Sequence, residues 1–253
     1  MQAVVITGAS AGIGKEFARQ LAAEGKSLVL VARRLDRLEA LAAELRDGHG
    51  IEVACIASDL AQPQASAELV KALEEQQIAV TGLINNAGFG DRGQFADLDL
   101  QRQLDMVQVN VTALVDITWR LVPALKQAQD AFVINVASTA AFQAGPNMTI
   151  YYATKAFVLS FSEGLHEELK ASGVAVSALC PGATDSEFAT EAHMTDTLLF
   201  KAGTMRTDAV VKKSLAARRR AIVIPGLKNL LLVWMGKLSP RMITRRLAGM
   251  LQA

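Results

Sequence analysis

The sequence predicts an α/β protein built on a doubly wound parallel sheet of about seven strands flanked by helices. Three observations favour this fold: short apolar runs alternate with helical patterns, a glycine-rich turn joins the first apolar run to the first helical pattern, and no linker divides the 253 residues. A chain of this length can bury a large core in one domain. We therefore expect residues 1–253 to form a single Rossmann-type domain.

Composition narrows the class of protein. With 51% hydrophobic and 20% charged residues, the chain is typical of a soluble globular protein. No apolar run approaches the ~20 residues that span a bilayer, and a strand-like run begins by Ala3, which leaves no room for a targeting peptide. Cys55 and Cys180 lie in apolar runs and are expected to be buried, reduced thiols. We expect a cytoplasmic protein with no transmembrane segment, no metal site and no nucleic-acid partner.

The first strand–turn–helix unit predicts a nucleotide site. An apolar run, Ala3–Ile6, leads into the sequence TGASAGIG and then into a helical pattern. Glycines let the backbone approach a pyrophosphate, and the helix offers free N–H groups at its N-terminus. The competing interpretation is an ordinary tight turn. The residues expected to border the cofactor are Gly8, Ser10, Gly12, Ile13 and Gly14.

The end of the second strand carries the signal for cofactor choice. In dinucleotide folds an acid about 20 residues beyond the glycines binds the ribose hydroxyls, whereas a basic residue there suits a 2′-phosphate. Ala32 stands where the acid is expected and is followed by Arg33 and Arg34. This favours NADP(H) over NAD(H). Alternatively, both arginines are solvated or pair with Asp36 or Glu39.

The later elements follow the same alternation. Strands are predicted at Ser27–Ala32, Ile51–Ile56, Val80–Ile84, Phe132–Ala137, Val174–Leu179 and Ala221–Ile224, and helices at Leu35–Leu45, Gln64–Glu75, Leu98–Lys126 and from Tyr151 to about Lys170. The apolar runs are short enough for strands, and the longer segments repeat their apolar residues at three- and four-residue steps.

Polar residues follow the third and fourth strands. Asp59 comes just after the third strand, where it can bind the adenine amino group or cap the next helix. The amides of Asn85 and Asn86 follow the fourth strand, together with Ala87 and Gly88. Such amides can bond neighbouring backbone across the crevice where the strand order reverses. We expect Asn86, Ala87 and Gly88 to border the cofactor.

The helical pattern Leu98–Lys126 is apolar on more than one side between Val111 and Leu125. One face would cover the sheet, and the other predicts contact with a second subunit, so we expect a homo-oligomer, either a dimer or a tetramer. Within this region, the Asn110 amide can bond a backbone carbonyl or an ordered water, or serve as a structural cap.

The stretch Ser138–Lys155 carries the candidate chemistry. Tyr151 lies four residues before Lys155, so both side chains stand one turn apart on one helix face. A phenol with a pKa of about 10 is a poor acid–base group at neutral pH, and a nearby ammonium favours its ionised form. Ser138 stands at a strand exit, where its hydroxyl can hold a substrate oxygen near the phenol. Tyr152 points roughly 100° away around the helix and is interpreted as packing.

Residues 183–205 have no clean periodicity and are interpreted as a substrate lid that follows the Pro181-Gly182 turn. The three histidines are dispersed and have no metal-ligand spacing. His193 lies in this segment and can contact substrate, but it is interpreted as a surface residue. An apolar pocket wall is expected from Phe89, Phe142, Pro146, Met148, Phe188, Leu198 and Phe200.

The tail, residues 227–253, is basic and amphipathic. Twelve of the 26 Lys and Arg but one of the 25 acids lie beyond residue 200. Apolar residues recur at helical steps from Leu227 to Leu238, Pro240 interrupts them, and a second pattern runs to Leu251. Such a segment can lie on an anionic membrane, or it can pack onto the protein's acidic front or a neighbouring subunit and close the pocket. Packing is favoured, because an apolar stripe of this length is seldom left exposed.

In order and spacing, these motifs resemble the short-chain dehydrogenase/reductase family over nearly the whole chain. The matching residues are Thr7–Gly14, Asn85–Gly88, Asn110, Ser138, Tyr151, Lys155 and Pro181-Gly182. The resemblance implies that Tyr151 transfers the proton and Ser138 positions the carbonyl. It implies that Lys155 binds the nicotinamide ribose and lowers the tyrosine pKa, and that Asn110 holds a proton-relaying water.

The resemblance also implies that the Pro181-Gly182 turn lies under the nicotinamide. The family often has threonine five residues after this proline. Here Ser186 stands at that position with Thr184 nearby, and either hydroxyl can bond the carboxamide.

Together with these features, the resemblance implies an NADP(H)-dependent oxidoreductase that reduces a ketone, aldehyde or 3-oxoacyl compound to an alcohol. A non-catalytic NADP(H)-binding regulator is one alternative, which the presence of all four catalytic groups disfavours. A membrane-surface protein that uses the basic tail is the other.

Overall fold

The computed structural model describes residues 1–201 and 203–251, in which seven parallel strands form one sheet. The strands are β1 Gln2–Thr7, β2 Ser27–Ala32, β3 Val53–Ala57, β4 Ala79–Asn85, β5 Phe132–Val136, β6 Ala175–Leu179 and β7 Ile222–Val223. Their order is β3-β2-β1-β4-β5-β6-β7. The predicted doubly wound fold is confirmed, and the strand order reverses between β1 and β4, where such folds bind their ligands.

Helices cover both faces of the sheet. They are α1 Gly12–Ala23, α2 Leu35–His49, α3 Ala65–Glu75, α4 Leu100–Val107, α5 Leu114–Leu125, α6 Thr149–Lys170, α7 Phe188–Glu191, α8 Leu198–Lys201, α9 Thr207–Ala216, α10 Leu227–Leu238 and α11 Arg241–Leu251. Ala202 of the predicted lid and Gln252 and Ala253 of the tail lie outside the described residues, as do the side chains of Leu198, Leu199 and Leu251.

The central strands are buried on both faces, which explains their continuous apolar runs. In β1, Val4 and Ile6 face a core that includes Phe17 of α1. Ala3 and Val5 face the opposite core, which includes residues of α3 and α5. Because successive side chains of a strand alternate between faces, β1 contributes side chains to both cores.

The prediction of one continuous helix over Leu98–Lys126 is wrong in one respect. A π-helical segment, Gln108–Ala113, separates α4 from α5. Such a segment adds a residue to the helical turn and is common at functional sites. Its consequence here is that Asn110 is buried and bonded to the loop that follows β4.

One smaller expectation also needs correction. Cys55 is partly exposed rather than buried, because it lies on β3 at the edge of the sheet. Cys180 is buried as expected, and both cysteines are free thiols. The helix α9, whose buried residues include Val210, Val211 and Leu215, had no sequence assignment.

The predicted tail helices are present as α10 and α11, on either side of Pro240. Val233 and Ala248 are buried against the body of the protein, whereas most of the large apolar side chains of the two helices are exposed. Within residues 1–201 and 203–251, no helix has both the length and the apolar character needed to cross a bilayer.

Candidate active site

The glycine turn lies at the carboxyl end of β1, where backbone must pass close to backbone. Gly8 has a φ of +65°, and a Cβ there would lie 2.8 Å from the Asn86 amide nitrogen and 2.9 Å from Ala87 Cα. A Cβ at Gly14 would overlap the Gly8 carbonyl oxygen. Larger residues are therefore excluded at both positions, which keeps the turn tight and the start of α1 close to β4.

Asn86 joins the two strands at which the sheet order reverses. Its amide donates to the carbonyl oxygens of Thr7, at 3.0 Å, and Gly8, at 3.1 Å. The Thr7 hydroxyl in turn accepts from the backbone N–H groups of Asn86 and Ala87, both at 3.0 Å. The predicted bonding of backbone across the crevice is confirmed for Asn86, whereas the Asn85 amide donates to the side chains of Thr118 and Asn135.

Beyond β2, Arg33 and Arg34 are exposed and line the same cavity as the glycine turn. Arg34 does not pair with Asp36 or Glu39, the acids considered in the sequence. It bonds Glu187 of the lid at 3.1 Å and the Ser10 hydroxyl at 3.2 Å. Asp59 also lines the cavity and accepts from the Ala61 N–H at 3.2 Å, so it caps a local turn rather than α3.

Tyr151, Lys155 and Ser138 come together at the carboxyl end of β5. Lys155 Nζ lies 5.7 Å from the centre of the Tyr151 ring and donates to the Val136 carbonyl at 2.8 Å. The Ser138 hydroxyl accepts from the Ala140 N–H at 3.1 Å. All three residues line the cavity, so the four-residue spacing of Tyr151 and Lys155 places both where substrate and cofactor chemistry can occur.

The electrostatics of this cluster differ from the expected lowering of the tyrosine pKa. Burial raises the pKa of the Tyr151 phenol, and a hydrogen bond with Ser138 offsets only part of this rise. Burial also lowers the pKa of Lys155 to about 8. In the protein chain itself, desolvation outweighs the attraction between phenolate and ammonium, so Tyr151 is a protonated phenol at neutral pH.

Tyr152 packs, as the helix geometry predicted. Its ring is buried and lies edge-on to Tyr151, with centroids 6.1 Å apart. A Cβ at Gly145 would overlap this ring, so Tyr152 fills the space that the glycine leaves open. Its ring also borders the cavity.

Asn110 stands behind the cavity wall rather than on it. Its amide donates to the Phe89 carbonyl at 3.0 Å and to the Thr154 hydroxyl at 3.1 Å, and its oxygen accepts from the Phe89 N–H at 3.1 Å. A Cβ at Gly88 would lie 2.9 Å from the Asn110 oxygen and 3.4 Å from Lys155 Nζ. Gly88 therefore lets Asn110 and Lys155 approach the same point from two sides.

The Pro181-Gly182 turn and the first lid residues form the other side of the cavity. The Thr184 hydroxyl donates to the Gly182 carbonyl at 2.9 Å, and a Cβ at Gly12 would lie 3.0 Å from Ser186 Cβ. Ser186 is thus close to the glycine turn. A Cβ at Gly182 would collide with the side chain of Asn229 in α10, a contact that no local sequence signal indicated.

The cavity has a volume of about 800 Å³ and has an apolar part next to Tyr151. Of the predicted wall residues, Phe89, Phe142, Met148, Phe188 and Phe200 line it, whereas Pro146 does not. The Phe188 ring lies 5.3 Å from the Tyr151 ring. His193 is exposed, as expected.

Ion pairs connect the lid to three other parts of the protein. Glu187 bonds Arg34 and Arg37, Glu191 bonds Arg102, and Asp196 bonds Arg92. Sequence reasoning missed these pairs, since the partners lie far apart along the chain. The Asn85–Asn135 hydrogen bond below the site was missed as well, although a polar residue inside the apolar run FVINV was a usable signal.

Taken together, a dinucleotide-type sheet with a Ser–Tyr–Lys cluster at its carboxyl edge defines a nucleotide-binding oxidoreductase. In the described part of the chain, no group of three or more His, Cys, Asp or Glu could hold a metal ion. The chain belongs to the short-chain dehydrogenase family, because the family model described as "short chain dehydrogenase" matches residues 2–197.

Curated relatives match the front of the chain. Sulfoacetaldehyde reductase of Chromohalobacter salexigens is 41% identical over 187 residues, 73% of each chain. The very-long-chain 3-oxoacyl-CoA reductase of Anas platyrhynchos is 33% identical over 182 residues, 70% of this chain and 58% of that protein. The chain therefore spans little more than half the length of this second relative.

Solved structures match nearly the whole fold. The short-chain dehydrogenase from Sphingobium yanoikuyae in complex with NADPH has a TM-score of 0.83 at 34% identity, covering 94% of this chain and 97% of that one. A short chain dehydrogenase/reductase from Burkholderia phymatum in complex with NAD has a TM-score of 0.82 at 26% identity, covering 92% of each chain. These matches support a nicotinamide dinucleotide as the cofactor; one of the two structures contains NADPH and the other contains NAD.

Proposed function

We propose that the protein is an NADP(H)-dependent reductase that converts a ketone, aldehyde or 3-oxoacyl compound to an alcohol, with Tyr151 as the general acid. The observation that carries this proposal is the cluster of Ser138, Tyr151 and Lys155 on the wall of one cavity that also reaches the glycine turn. We place the reaction in the cytoplasm, where abundant NADPH favours reduction.

The residues of the cavity fit a dinucleotide. Gly8 leaves no room for a side chain, and among the described residues no side chain caps the first turn of α1, so its N–H groups can face a pyrophosphate. The residues proposed to hold the cofactor are Gly8, Ser10, Gly12, Ile13, Arg33, Arg34, Asp59, Asn86, Ala87, Gly88, Tyr151, Lys155, Pro181, Gly182, Thr184 and Ser186. Gly14 acts indirectly, by packing under Gly8.

Tyr151 lines the cavity and is protonated at neutral pH, which supports its role as a proton donor. When bound, NADPH supplies the hydride. Tyr151 donates its proton to the carbonyl oxygen, and the Ser138 hydroxyl holds that oxygen by a hydrogen bond. The Lys155 ammonium stabilises the phenolate that remains. Asn110 fixes the Phe89 backbone and Thr154 beside this cluster.

Arg33 and Arg34 support the choice of NADP(H). Both line the cavity just beyond β2, where Ala32 stands in place of an acid. A guanidinium is charged at all relevant pH values and can bind a phosphate with two parallel hydrogen bonds. The 2′-phosphate is the part of NADP(H) that distinguishes it from NAD(H).

The substrate proposed from the lining is an apolar carbonyl compound. The wall next to Tyr151 consists mainly of Phe and Met side chains, and Leu232 and Val233 of α10 extend it. A small anionic substrate such as a sulfonate needs a cation. Arg102 lines the cavity, but it already pairs with Asp91 at 3.3 Å and Glu191 at 3.2 Å. An apolar ketone or a 3-oxoacyl chain fits this wall better.

We also propose that the protein self-associates through α5 and α6. Trp119 of α5 is 74% exposed, and Phe157 of α6 is also exposed and stacks on Phe161 at 6.0 Å. Large apolar side chains on neighbouring elements commonly mark a subunit interface.

The reductase proposal is tested by NADPH consumption with a panel of carbonyl compounds of increasing chain length, each measured also with NADH. Turnover of the longer, uncharged carbonyls with NADPH supports the proposal. Tight NADPH binding without turnover of any compound in the panel would instead support the regulator.

A further inference from the structure

The two tail helices carry an apolar surface that lies beyond residue 197, where the family match ends. We call the exposed apolar side chains of α10 and α11 the tail surface; it includes Leu227, Leu231, Trp234, Leu238, Met242 and Met250. Leu238 is 82% exposed and Trp234 is 56% exposed. A surface of this kind marks a site of interaction rather than ordinary solvent exposure.

Helix α10 has two different faces. Successive residues are roughly 100° apart around a helix, so Leu227, Leu231, Trp234 and Leu238 share one side. The opposite side carries Val233, which is buried, and Asn229, which packs on Gly182. The inner face is therefore fixed to the body of the protein at the candidate active site, and the outer face presents its apolar stripe to the surroundings.

Basic side chains border the stripe. By the same helical geometry, Lys228 lies beyond one edge of the α10 stripe and Lys237 beyond the other. The side chain of Lys237 lies across the rings of Phe142 and Trp234, with Nζ 5.0 and 5.7 Å from their centres. Residues 227–253 contain five Lys or Arg and no Asp or Glu. An apolar stripe that contains a tryptophan and is bordered by cationic side chains is typical of helices that lie at a membrane interface.

The tail surface is continuous with the mouth of the cavity. Leu232 and Met235 of α10 and Leu247 of α11 line the cavity, and each is also exposed. A side chain that is exposed and also lines a cavity stands at its opening. One opening of the cavity therefore lies beside the tail surface.

We propose that the tail surface docks on an anionic lipid bilayer, so that the cavity opens toward the membrane. Resting on the proposed function, the substrate is then a lipophilic carbonyl compound that enters the cavity from the bilayer. A second copy of the chain fits the tail surface less well. An isologous contact brings each surface against its own counterpart, and here it would place cations against cations with no acid between them.

The docking is tested by sedimentation with phosphatidylcholine vesicles that contain phosphatidylglycerol, in the absence of any substrate. We expect the protein to sediment with these vesicles, to bind pure phosphatidylcholine vesicles roughly tenfold less, and to be released by high salt. The variant that combines Leu231→Glu, Trp234→Glu and Leu238→Glu should lose vesicle binding. These three residues do not line the cavity, so reduction of a short, water-soluble ketone should continue. The control Phe95→Glu changes an exposed aromatic residue outside the tail and should bind vesicles like the unmodified protein.

Fluorescence gives a second readout, because the chain has two tryptophans. With Trp119→Phe, Trp234 is the sole reporter, and its emission should shift to the blue when phosphatidylglycerol vesicles are added. With Trp234→Phe, Trp119 is the reporter and its emission should stay constant. The reverse result would show that another face of the protein meets the lipid.

Failure of the docking can be told apart from failure of the reductase. An active enzyme that does not sediment with phosphatidylglycerol vesicles at low salt overturns the docking alone. A second copy would be the occupant if the unmodified protein does not sediment with vesicles and the triple variant has a lower molar mass in light scattering than the unmodified protein. Faster reduction of a long-chain ketone presented in anionic vesicles, lost in the triple variant, is the result expected for substrate entry from the bilayer.

Discussion

The Glu187 carboxylate of the lid lies 3.1 Å from the Arg34 guanidinium, and both residues line the same cavity. Arg37 bonds the same carboxylate at 2.7 Å and, with Arg34, lowers the pKa of Glu187. Since Arg34 is also proposed to bind the 2′-phosphate, carboxylate and phosphate compete for one guanidinium. On this proposal, cofactor binding and lid position are linked through the ion pair of Arg34 with Glu187.

Replacing Glu187 by Gln should tighten NADPH binding and leave NADH binding unchanged. Exposed ion pairs contribute about 0.2–1 kcal/mol each, so we expect the Kd for NADPH to fall by a factor of roughly 1.4 to 5. Titration with both cofactors by fluorescence measures the effect. Asp196→Asn is the matched control, because it removes a lid ion pair with Arg92 that does not involve Arg34. Equal tightening for both cofactors would show that the phosphate is not the competitor.

Changing Ala32 to Asp and Arg33 to Ser should shift the preference toward NADH. The new carboxylate can bind the ribose hydroxyls and repels a 2′-phosphate, while the loss of Arg33 removes a cation that attracts it. The measurement is kcat/KM with each cofactor. Values that favour NADH in the unmodified protein would contradict the assignment of the arginines.

The pH dependence should follow Lys155, whose pKa burial lowers to about 8. Below this pH the ammonium is present; above it the charge is lost, so kcat/KM for NADPH should fall as the pH rises past about 8. Stability should change in the opposite sense. The folded protein binds this proton less tightly than the unfolded chain, so the cost of burying the charge is full below pH 8 and declines above it.

Lys155→Met separates these effects. The variant carries no buried charge, so its advantage in Tm over the unmodified protein should shrink between pH 7 and pH 9, while its activity stays low throughout. A Tm difference that does not change with pH would show that Lys155 is not buried as a titrating cation.

Much of this arrangement could be predicted because it is local in sequence. Strands such as Ser27–Ala32 were recognisable from continuous apolar runs, since parallel strands are buried on both faces. Tyr151 and Lys155 needed only the four-residue spacing. The contacts of Arg34 with Glu187 and of Gly182 with Asn229 could not be predicted, because they join residues that no local periodicity connects. The raised pKa of Tyr151 was missed since it depends on burial in the finished fold.

Trp119→Glu combined with Phe157→Glu should convert the protein to a monomer. Both side chains are exposed on α5 and α6, and a charge at each would oppose burial against a second subunit. Light scattering at micromolar concentration measures the mass, with Phe95→Glu as a control outside these helices. An unmodified protein that is already a monomer would rule out this interface.

Steady-state NADPH consumption by Tyr151→Phe and Tyr152→Phe tests the proposed chemistry most directly. The two rings are adjacent and both buried, but Tyr151 alone has the four-residue spacing to Lys155. Tyr151→Phe should reduce kcat by about 10²–10⁴-fold and leave the Kd for NADPH nearly unchanged, because it removes the proton donor and little else. Tyr152→Phe should have a comparatively mild effect. Full activity in Tyr151→Phe, or a greater loss in Tyr152→Phe, would contradict the assignment of Tyr151 as the general acid.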